Sequence, residues 1–360
     1  MRNNRDPLHC VLPPFVLESI AARGEENQRA WAARALNRDQ SVRLARVENA
    51  KVRAGGPREG ADALAVEARV RLRRTIRDAA GQENVRGEVV RREGDEPTGD
   101  EAVDQAYDGL GETWTFYEEI FDRDSIDDAG MPLRGVVHFG EQYPNAFWDG
   151  RRMVFGDGDG EICGPMTRSL DVIGHELAHG VTEDEAGLEY FGQSGALNES
   201  MSDVFGSLVE QHRDNQGADQ ANWLVGDEVW TPNVAGDALR SMKAPGTAYD
   251  DPVVGKDPQP GHMDDYVETT RDNGGVHINS GIPNHAFYLV ATRLGGYAWE
   301  RAGRIWYEAL RHAELGTRST FSQFAALTVR VAEGIHGAAS EEVKAVYEGW
   351  EGVGVSAPKP

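Results

Sequence analysis

Cysteine is almost absent: Cys10 and Cys163 are the only two in 360 residues. Two cysteines cannot build a disulfide framework. Long apolar runs are missing as well. No stretch approaches the ~20 consecutive apolar residues of a membrane-spanning helix, so no membrane partner is expected. The first residues carry positive charge but no continuous apolar stretch and no small-residue cleavage site, so they do not read as a secretory signal. Cytoplasmic synthesis is the expectation, with any export by a non-classical route. Positive charge is scarce too: 37 Lys and Arg stand against 60 Asp and Glu, a formal net charge of −23. That excess repels phosphate backbones and argues against nucleic acid as a partner. A hydrophobic fraction of 39% still supports a sizeable core, and the length suits roughly two domains.

The charge is unevenly spread. Residues 1–70 hold 12 Lys/Arg and 9 Asp/Glu, a net +3, which leaves −26 for the remainder. This front segment reads as two helices, about 15–23 and 26–52, followed by a break at Gly55-Gly56-Pro57. A basic piece on an acidic body suggests a removable segment or an intramolecular clamp; the alternative is a helical hairpin integral to the fold. From about 69 to 165, β-prone runs (85–91, 133–139, 153–155) surround one helix at 100–121. Beyond 170 the pattern is helical, over 170–183, 195–212, 281–294, 299–312, 319–334 and 340–350, with a Pro/Gly/Asp-rich connection at 214–275. A β-rich half followed by a helical half predicts an α+β fold with two lobes.

The sharpest chemical signal is His175-Glu176-Leu177-Ala178-His179. On a helix, residues four apart share a face, so both imidazoles can point at one metal with Glu176 beside them. Zinc suits this set, because it accepts neutral imidazole and keeps a position open for water. The alternative for so short a pattern is a helix with two partly exposed histidines. A following helix carries Glu199 and Asp203, also four apart and surrounded by Leu197, Met201, Val204, Phe205 and Leu208. Inward-facing carboxylates need a partner. Glu199 can be the third ligand, and Asp203 can fix a ligand histidine's tautomer.

The His-Glu-x-x-His run and the glutamate twenty residues later, in Gly-Ala-Leu-Asn-Glu-Ser-Met-Ser-Asp, resemble the thermolysin family of zinc endopeptidases. Asn-Ala-Phe-Trp-Asp-Gly at 145–150, Gly-Asp-Gly-Asp-Gly at 156–160, Asp171, and Asn-Gly-Gly-Val-His-Ile-Asn-Ser-Gly-Ile at 273–282 extend the resemblance over about 71–350. It implies a two-lobed zincin (gluzincin) fold, with lobes at 71–183 and 184–360 and a cleft between them. It implies His175, His179 and Glu199 as ligands of one catalytic zinc, and Glu176 as the general base acting on the zinc-bound water. Tyr190 and His277 would stabilise the oxyanion, Asp272 would orient His277, and Asp203 would orient His175. Arg240 would hold a substrate carbonyl, and Asn145 and Ala146 would lie on an edge strand that pairs with the peptide.

Met166, Val172, Val225, Leu239 and Cys163 match the family's primed-side pocket, which implies a hydrophobic residue just after the scissile bond. Asp171, Glu210 and Asp227 match carboxylates of a calcium site, while Asn222 and Leu224 stand where further carboxylates are usual, so one structural calcium ion is expected. The short front segment with Pro13-Pro14-Phe15 resembles that of the protealysin subgroup, whose precursors fold a short pro-segment over the cleft; the Pro-Pro pair, which fixes an extended backbone without the amide protons of a normal substrate, is expected to do the blocking. Removal should follow a cut between about 50 and 75. The partners implied are peptides and proteins as substrates, the chain's own pro-segment, and a proteinaceous inhibitor. Cys10 could reach the zinc or pair with Cys163; the alternative is a free buried thiol at each. Two rivals are an exopeptidase, for which no Gly-x-Met-Glu-Asn segment is present, and a catalytically silent binding protein, against which the complete catalytic set argues.

Overall fold

Two helices lead the chain, α1 (Pro14–Arg23) and α2 (Glu26–Arg53). The computed structural model describes residues 10–53 and 71–357, with no side-chain description for 40–53. The Gly55-Gly56-Pro57 break and most of the 50–75 window for a maturation cut fall outside the described residues. Pro13 keeps an extended backbone (φ −65°, ψ 147°), whereas Pro14 opens α1 at a position where a missing N–H costs nothing. The expectation that the Pro-Pro pair itself lies extended across the catalytic groups therefore needs correcting: Cys10, Val11 and Leu12 do so, and Phe15 is only half-buried.

Five strands form the N-terminal lobe's sheet: β1 (Arg74–Asp78), β2 (Glu88–Arg92), β3 (Leu133–Val137), β4 (Ala146–Trp148) and β5 (Met153–Phe155). Their order is β2-β1-β3-β5-β4, with β1, β3 and β5 parallel and the two outer strands antiparallel to their neighbours. Strand β1 was not legible in the sequence, and the run at 85–91 narrows to Glu88–Arg92. Helix α3 (Glu101–Phe121) lies against this sheet through Val103, Ala106, Leu110 and Phe116, all buried. Its first N–H groups are satisfied by the Asp100 carboxylate, which accepts from Ala102 and Val103.

Helices α4 (Leu170–Glu185) and α5 (Gly192–Arg213) cross at glycines. A Cβ on Gly174 would lie 3.0 Å from the Gly206 Cα, and one on Gly206 would lie 2.9 Å from the His175 backbone nitrogen. Side chains at either position would push the two helices apart, and with them the groups each carries.

Within the 214–275 connection are two small ladders: β6 (Leu224–Val225) with β7 (Arg240–Ser241), and β8 (Asp250–Asp251) with β9 (Gly255–Lys256). Helices α6 (Asp272–Asn279), α7 (Gly281–Leu294), α8 (Ala302–Leu310), α9 (Phe321–His336) and α10 (Glu341–Gly352) complete the C-terminal lobe around stacked Trp306 and Trp350. Among the described residues no helix is long and apolar enough to cross a membrane.

The front segment touches both lobes. Ser19 donates to the Val253 carbonyl at 2.8 Å and Glu18 pairs with Arg271, both C-terminal. On the other side, Arg34 donates to Gln142, and the Arg38 guanidinium lies 5.1 Å from the Tyr143 ring centre. Val11, Leu12, Val16, Leu17, Ile20, Trp31, Ala32 and Ala35 are buried, so the segment is part of the core in this state.

Candidate active site

Helix α4 presents His175, Glu176 and His179, all fully buried. The His175 Nδ1–H donates to Asp203 at 2.8 Å and the His179 Nδ1–H donates to the Asn198 side-chain oxygen at 2.7 Å. Asn198 is fixed in that orientation because its nitrogen donates to the Leu188 carbonyl. With both Nδ1 atoms protonated, the neutral rings turn their Nε2 lone pairs toward each other, 3.1 Å apart. Glu199 on α5 adds a carboxylate, with Oε2 3.6 Å from His175 Nε2 and Oε1 3.5 Å from His179 Nε2. Glu199 Oε2 is buried and accepts no hydrogen bond. Two opposed lone pairs and an orphaned carboxylate oxygen in a buried site repel one another unless a cation lies between them. Two neutral imidazoles and one carboxylate are the donor set of a catalytic zinc, so the residues fit that metal. His175, Glu176 and His179 form the one cluster of three such groups, among the described residues, whose ligand atoms all lie within 4.8 Å.

Glu176 is positioned from the sheet: its Oε2 accepts the Trp148 backbone N–H of β4 at 3.0 Å. Asp203 is the hub behind the histidines. Beside His175 it accepts from Arg240 Nε and Nη2, at 2.9 and 2.8 Å, and from Asn284 at 2.8 Å. Burial alone would raise its pKa, but the Arg240 charge and the His175 hydrogen bond hold it well below the usual carboxylate range.

His277 and Tyr190 reach the site from different segments. Residues 273–275 (Asn-Gly-Gly), within the first turn of α6, all have positive φ and kink the chain there. Gly274 could not carry a side chain there, since its Cβ would meet the Gly192 nitrogen at 3.0 Å. The turn lets Asp272 accept both the His277 backbone N–H and its Nδ1–H, at 2.9 and 2.6 Å. His277 Nε2 then lies 3.2 Å from the Tyr190 hydroxyl, which itself donates to Glu199 Oε1. Burial opposes the charged form of His277, but the Asp272 and Glu199 charges outweigh it and bring the ring to about 8. Burial, with Glu199 alongside, pushes the Tyr190 phenol well up, so it stays a donor.

The cleft is spanned by the chain's own front segment. Arg240 Nη1 donates to the Val11 carbonyl at 3.0 Å. Asn145 accepts the Leu12 N–H at 3.0 Å and donates to the Leu12 carbonyl at 3.3 Å. Ala146 lies in β4, whose next residue, Phe147, pairs antiparallel with Cys10. Val225 and Leu239 are joined by a backbone hydrogen bond of 2.9 Å, and Met166, Val172 and Cys163 are each fully buried. Cys10 and Cys163 are both buried and no disulfide joins them, so the pairing between them is not formed.

Asp171, Glu210 and Asp227 are drawn near one another. Burial first, then mutual repulsion, raises the pKa of Asp171 and of Glu210, and burial raises Asp227. Asp171 accepts from the Gly226 N–H, Asp227 from Asn222, and Arg213 stands 3.8 Å from Glu210.

Several contributors were missed in the sequence. Asn198 and Asn284 lie one residue before a ligand and on a distant helix, with nothing in their spacing to mark them. Asp39 on α2 is buried and accepts from the Tyr143 hydroxyl at 2.6 Å and from Asn145 at 3.5 Å. Its only sequence signal is a lone acid in an Arg-rich stretch.

Opposed imidazoles beside a buried carboxylate, with a second glutamate poised at their edge, define a metallopeptidase site. Comparison with known proteins agrees: the thermolysin metallopeptidase catalytic domain profile matches residues 63–183, and the profile of its alpha-helical domain matches 186–355. An extracellular metalloprotease of Pectobacterium carotovorum subsp. carotovorum is 48% identical over 349 residues, 97% of each chain. Protease PrtS of Photorhabdus sp. (strain Az29) is 49% identical over 348 residues, covering 96% of this chain and 91% of that one. The solved precursor of protealysin, a metalloproteinase from Serratia proteamaculans, superposes with a TM-score of 0.86 at 48% identity, covering 97% of this chain and 100% of that one. The chain belongs to the thermolysin family of metallopeptidases: it is a zinc metalloendopeptidase that carries a pro-segment.

Proposed function

We propose that this endopeptidase is made as a self-inhibited precursor, with residues 1–70 as pro-segment and 71–183 and 184–360 as the two catalytic lobes. The observation that carries the reading is the seating of Cys10, Val11 and Leu12 on His277, Arg240 and Asn145, the groups a substrate peptide would need. His175, His179 and Glu199 hold the zinc, which when bound supplies a Lewis acid that polarises the scissile carbonyl and acidifies a water. Glu176, aligned by the Trp148 N–H, takes a proton from the attacking water and passes it to the leaving amine. Tyr190 and His277 donate to the oxygen on which negative charge develops. Arg240 and Asn145 grip the peptide backbone on the primed side, with β4 supplying strand pairing through Ala146 and Phe147.

The primed pocket made by Met166, Val172, Val225 and Leu239, with Cys163 beside them, favours a hydrophobic residue after the cut. The support is that all five are buried and apolar in character. A single structural calcium at Asp171, Glu210 and Asp227 is supported by their mutual repulsion; Arg213 competes for the same charge. A proteinaceous inhibitor would use the same backbone clamp. For location, the reading is cytoplasmic synthesis followed by non-classical export; the name of one relative, an extracellular metalloprotease, supports export and not its route. Fractionating a producing culture tests it, and activity confined to the cell interior would refute export.

The catalytic assignment is tested with Tyr190→Phe and His277→Ala on a blocked peptide bearing an apolar residue after the scissile bond. Each should lower kcat by ~10²–10³ with little change in KM. A rise in KM at unchanged kcat would instead make them ground-state binding groups.

A further inference from the structure

Three consecutive residues of the front segment meet three different functional groups, in chain order. The Cys10 carbonyl oxygen lies 3.2 Å from His277 Nε2. The Val11 carbonyl accepts from Arg240 at 3.0 Å. Leu12 is held at both its N–H and its carbonyl by Asn145. Antiparallel pairing of Cys10 with Phe147 fixes the strand's direction along β4. In the proposed mechanism, which this inference deepens and on which it rests, the bond that is cut is the one whose carbonyl meets the oxyanion donors. Among the described residues of the segment, only the Cys10–Val11 bond has that placement. The residue after it, Val11, is apolar and fully buried, as the primed pocket prefers.

We infer that the active site cuts its own chain between Cys10 and Val11. Water adds to the Cys10 carbonyl carbon, the C–N bond breaks, and Glu176 carries one water proton to the Val11 nitrogen. Cys10 ends as a carboxylate and Val11 as a new amine, with no oxidant or further reactant. The cut differs from removal of the pro-segment. Leu12, Val16, Leu17, Ile20 and Trp31 stay buried on the C-terminal side of the bond, so the remaining segment still fills the cleft. Residues 1–10 lose their covalent hold and leave, which makes the step irreversible. The thiol has no part in it, since only the Cys10 carbonyl is used.

The test uses the full-length chain loaded with zinc, as wild type, Glu176→Gln and Cys10→Ser, followed by intact mass and N-terminal sequencing, with cleavage of a blocked peptide recorded in parallel. The expected result is a fragment beginning at Val11 from wild type and from Cys10→Ser. Its rate should be independent of protein concentration, because the bond sits in its own site. Glu176→Gln should slow it by ~10²–10⁴. A wild-type chain that matures and cleaves the peptide, yet never yields a Val11 amine, overturns the self-cut and leaves the endopeptidase reading standing. A chain that cuts neither overturns both. A Val11 terminus appearing as fast in Glu176→Gln assigns the cut to another protease and also overturns the inference.

Discussion

Asp203→Asn tests how the metal site is held. The substitution keeps the shape of the side chain but removes its charge. It replaces one acceptor oxygen by an amide nitrogen that cannot accept from Arg240, His175 or Asn284. Arg240 is 2% exposed and Asp203 is fully buried, so the guanidinium would be left uncompensated in the interior. Breaking a buried pair in this way costs about 3–5 kcal/mol. With an unfolding entropy of ~2.1 cal/mol/K per residue over roughly 290 catalytic-lobe residues, that loss lowers Tm by about 5–8 °C. His175 also loses its strongest orienting partner, so zinc affinity should fall by ~10–100-fold. The assay is thermal unfolding of zinc-loaded protein together with zinc competition against a chelator of known affinity. A Tm within about 1 °C of wild type and an unchanged zinc affinity would refute the argument that Asp203 couples Arg240 to the metal site.

Three further outcomes are expected. Asp39→Ala removes a buried charged acceptor from Tyr143 and Asn145, worth about 2 kcal/mol, so basal activity of the intact precursor should rise by ~30-fold; unchanged basal activity would refute the contact's role in inhibition. His138 lies between Asp157 and Asp100, and the Asp157 hydrogen bond, against partial burial, raises its pKa to about 9. A raised folded-state pKa gives stability that is complete below the ordinary value of about 6.5 and lost as pH climbs through about 9, so His138→Gln should cost about 1 kcal/mol at pH 6, after allowing for solvent screening, and almost nothing at pH 10. A pH-independent difference in urea unfolding would contradict this. Millimolar calcium should raise the Tm of wild type and not of Glu210→Gln; equal responses would remove calcium from the acidic trio.

The zinc helix was legible because an i, i+4 histidine pair on one face needs nothing from the rest of the chain. Glu199 and Asp203 were legible for the same reason, four apart among apolar residues. The long helices were visible in their apolar spacing, and α3 begins within a residue of its expected start. Strand β1 was hidden because only Ile76 among its five residues is buried, and its partners β2 and β3 are set by the fold, not by local pattern. Helix α6 was hidden because its first turns contain Asn273, Gly274 and Gly275 in left-handed conformation, a sequence that reads as a loop. The roles of Cys10 to Leu12 were misread as belonging to the Pro-Pro pair, since proline's stiffness is visible in sequence and a register against Asn145 and Arg240 is not. Asp39 depends on a contact across 106 residues, which no window of sequence contains.

The most direct measurement of the central claim is turnover of a blocked internal peptide by matured protein: zinc-loaded, chelator-stripped and zinc-restored wild type, beside zinc-loaded Glu176→Gln. The account predicts cleavage at an internal bond before an apolar residue, loss on stripping, recovery on restoring zinc, and a ~10²–10⁴-fold lower rate in the variant despite full zinc occupancy. Cleavage that survives stripping, or a zinc-loaded variant as fast as wild type, would contradict it.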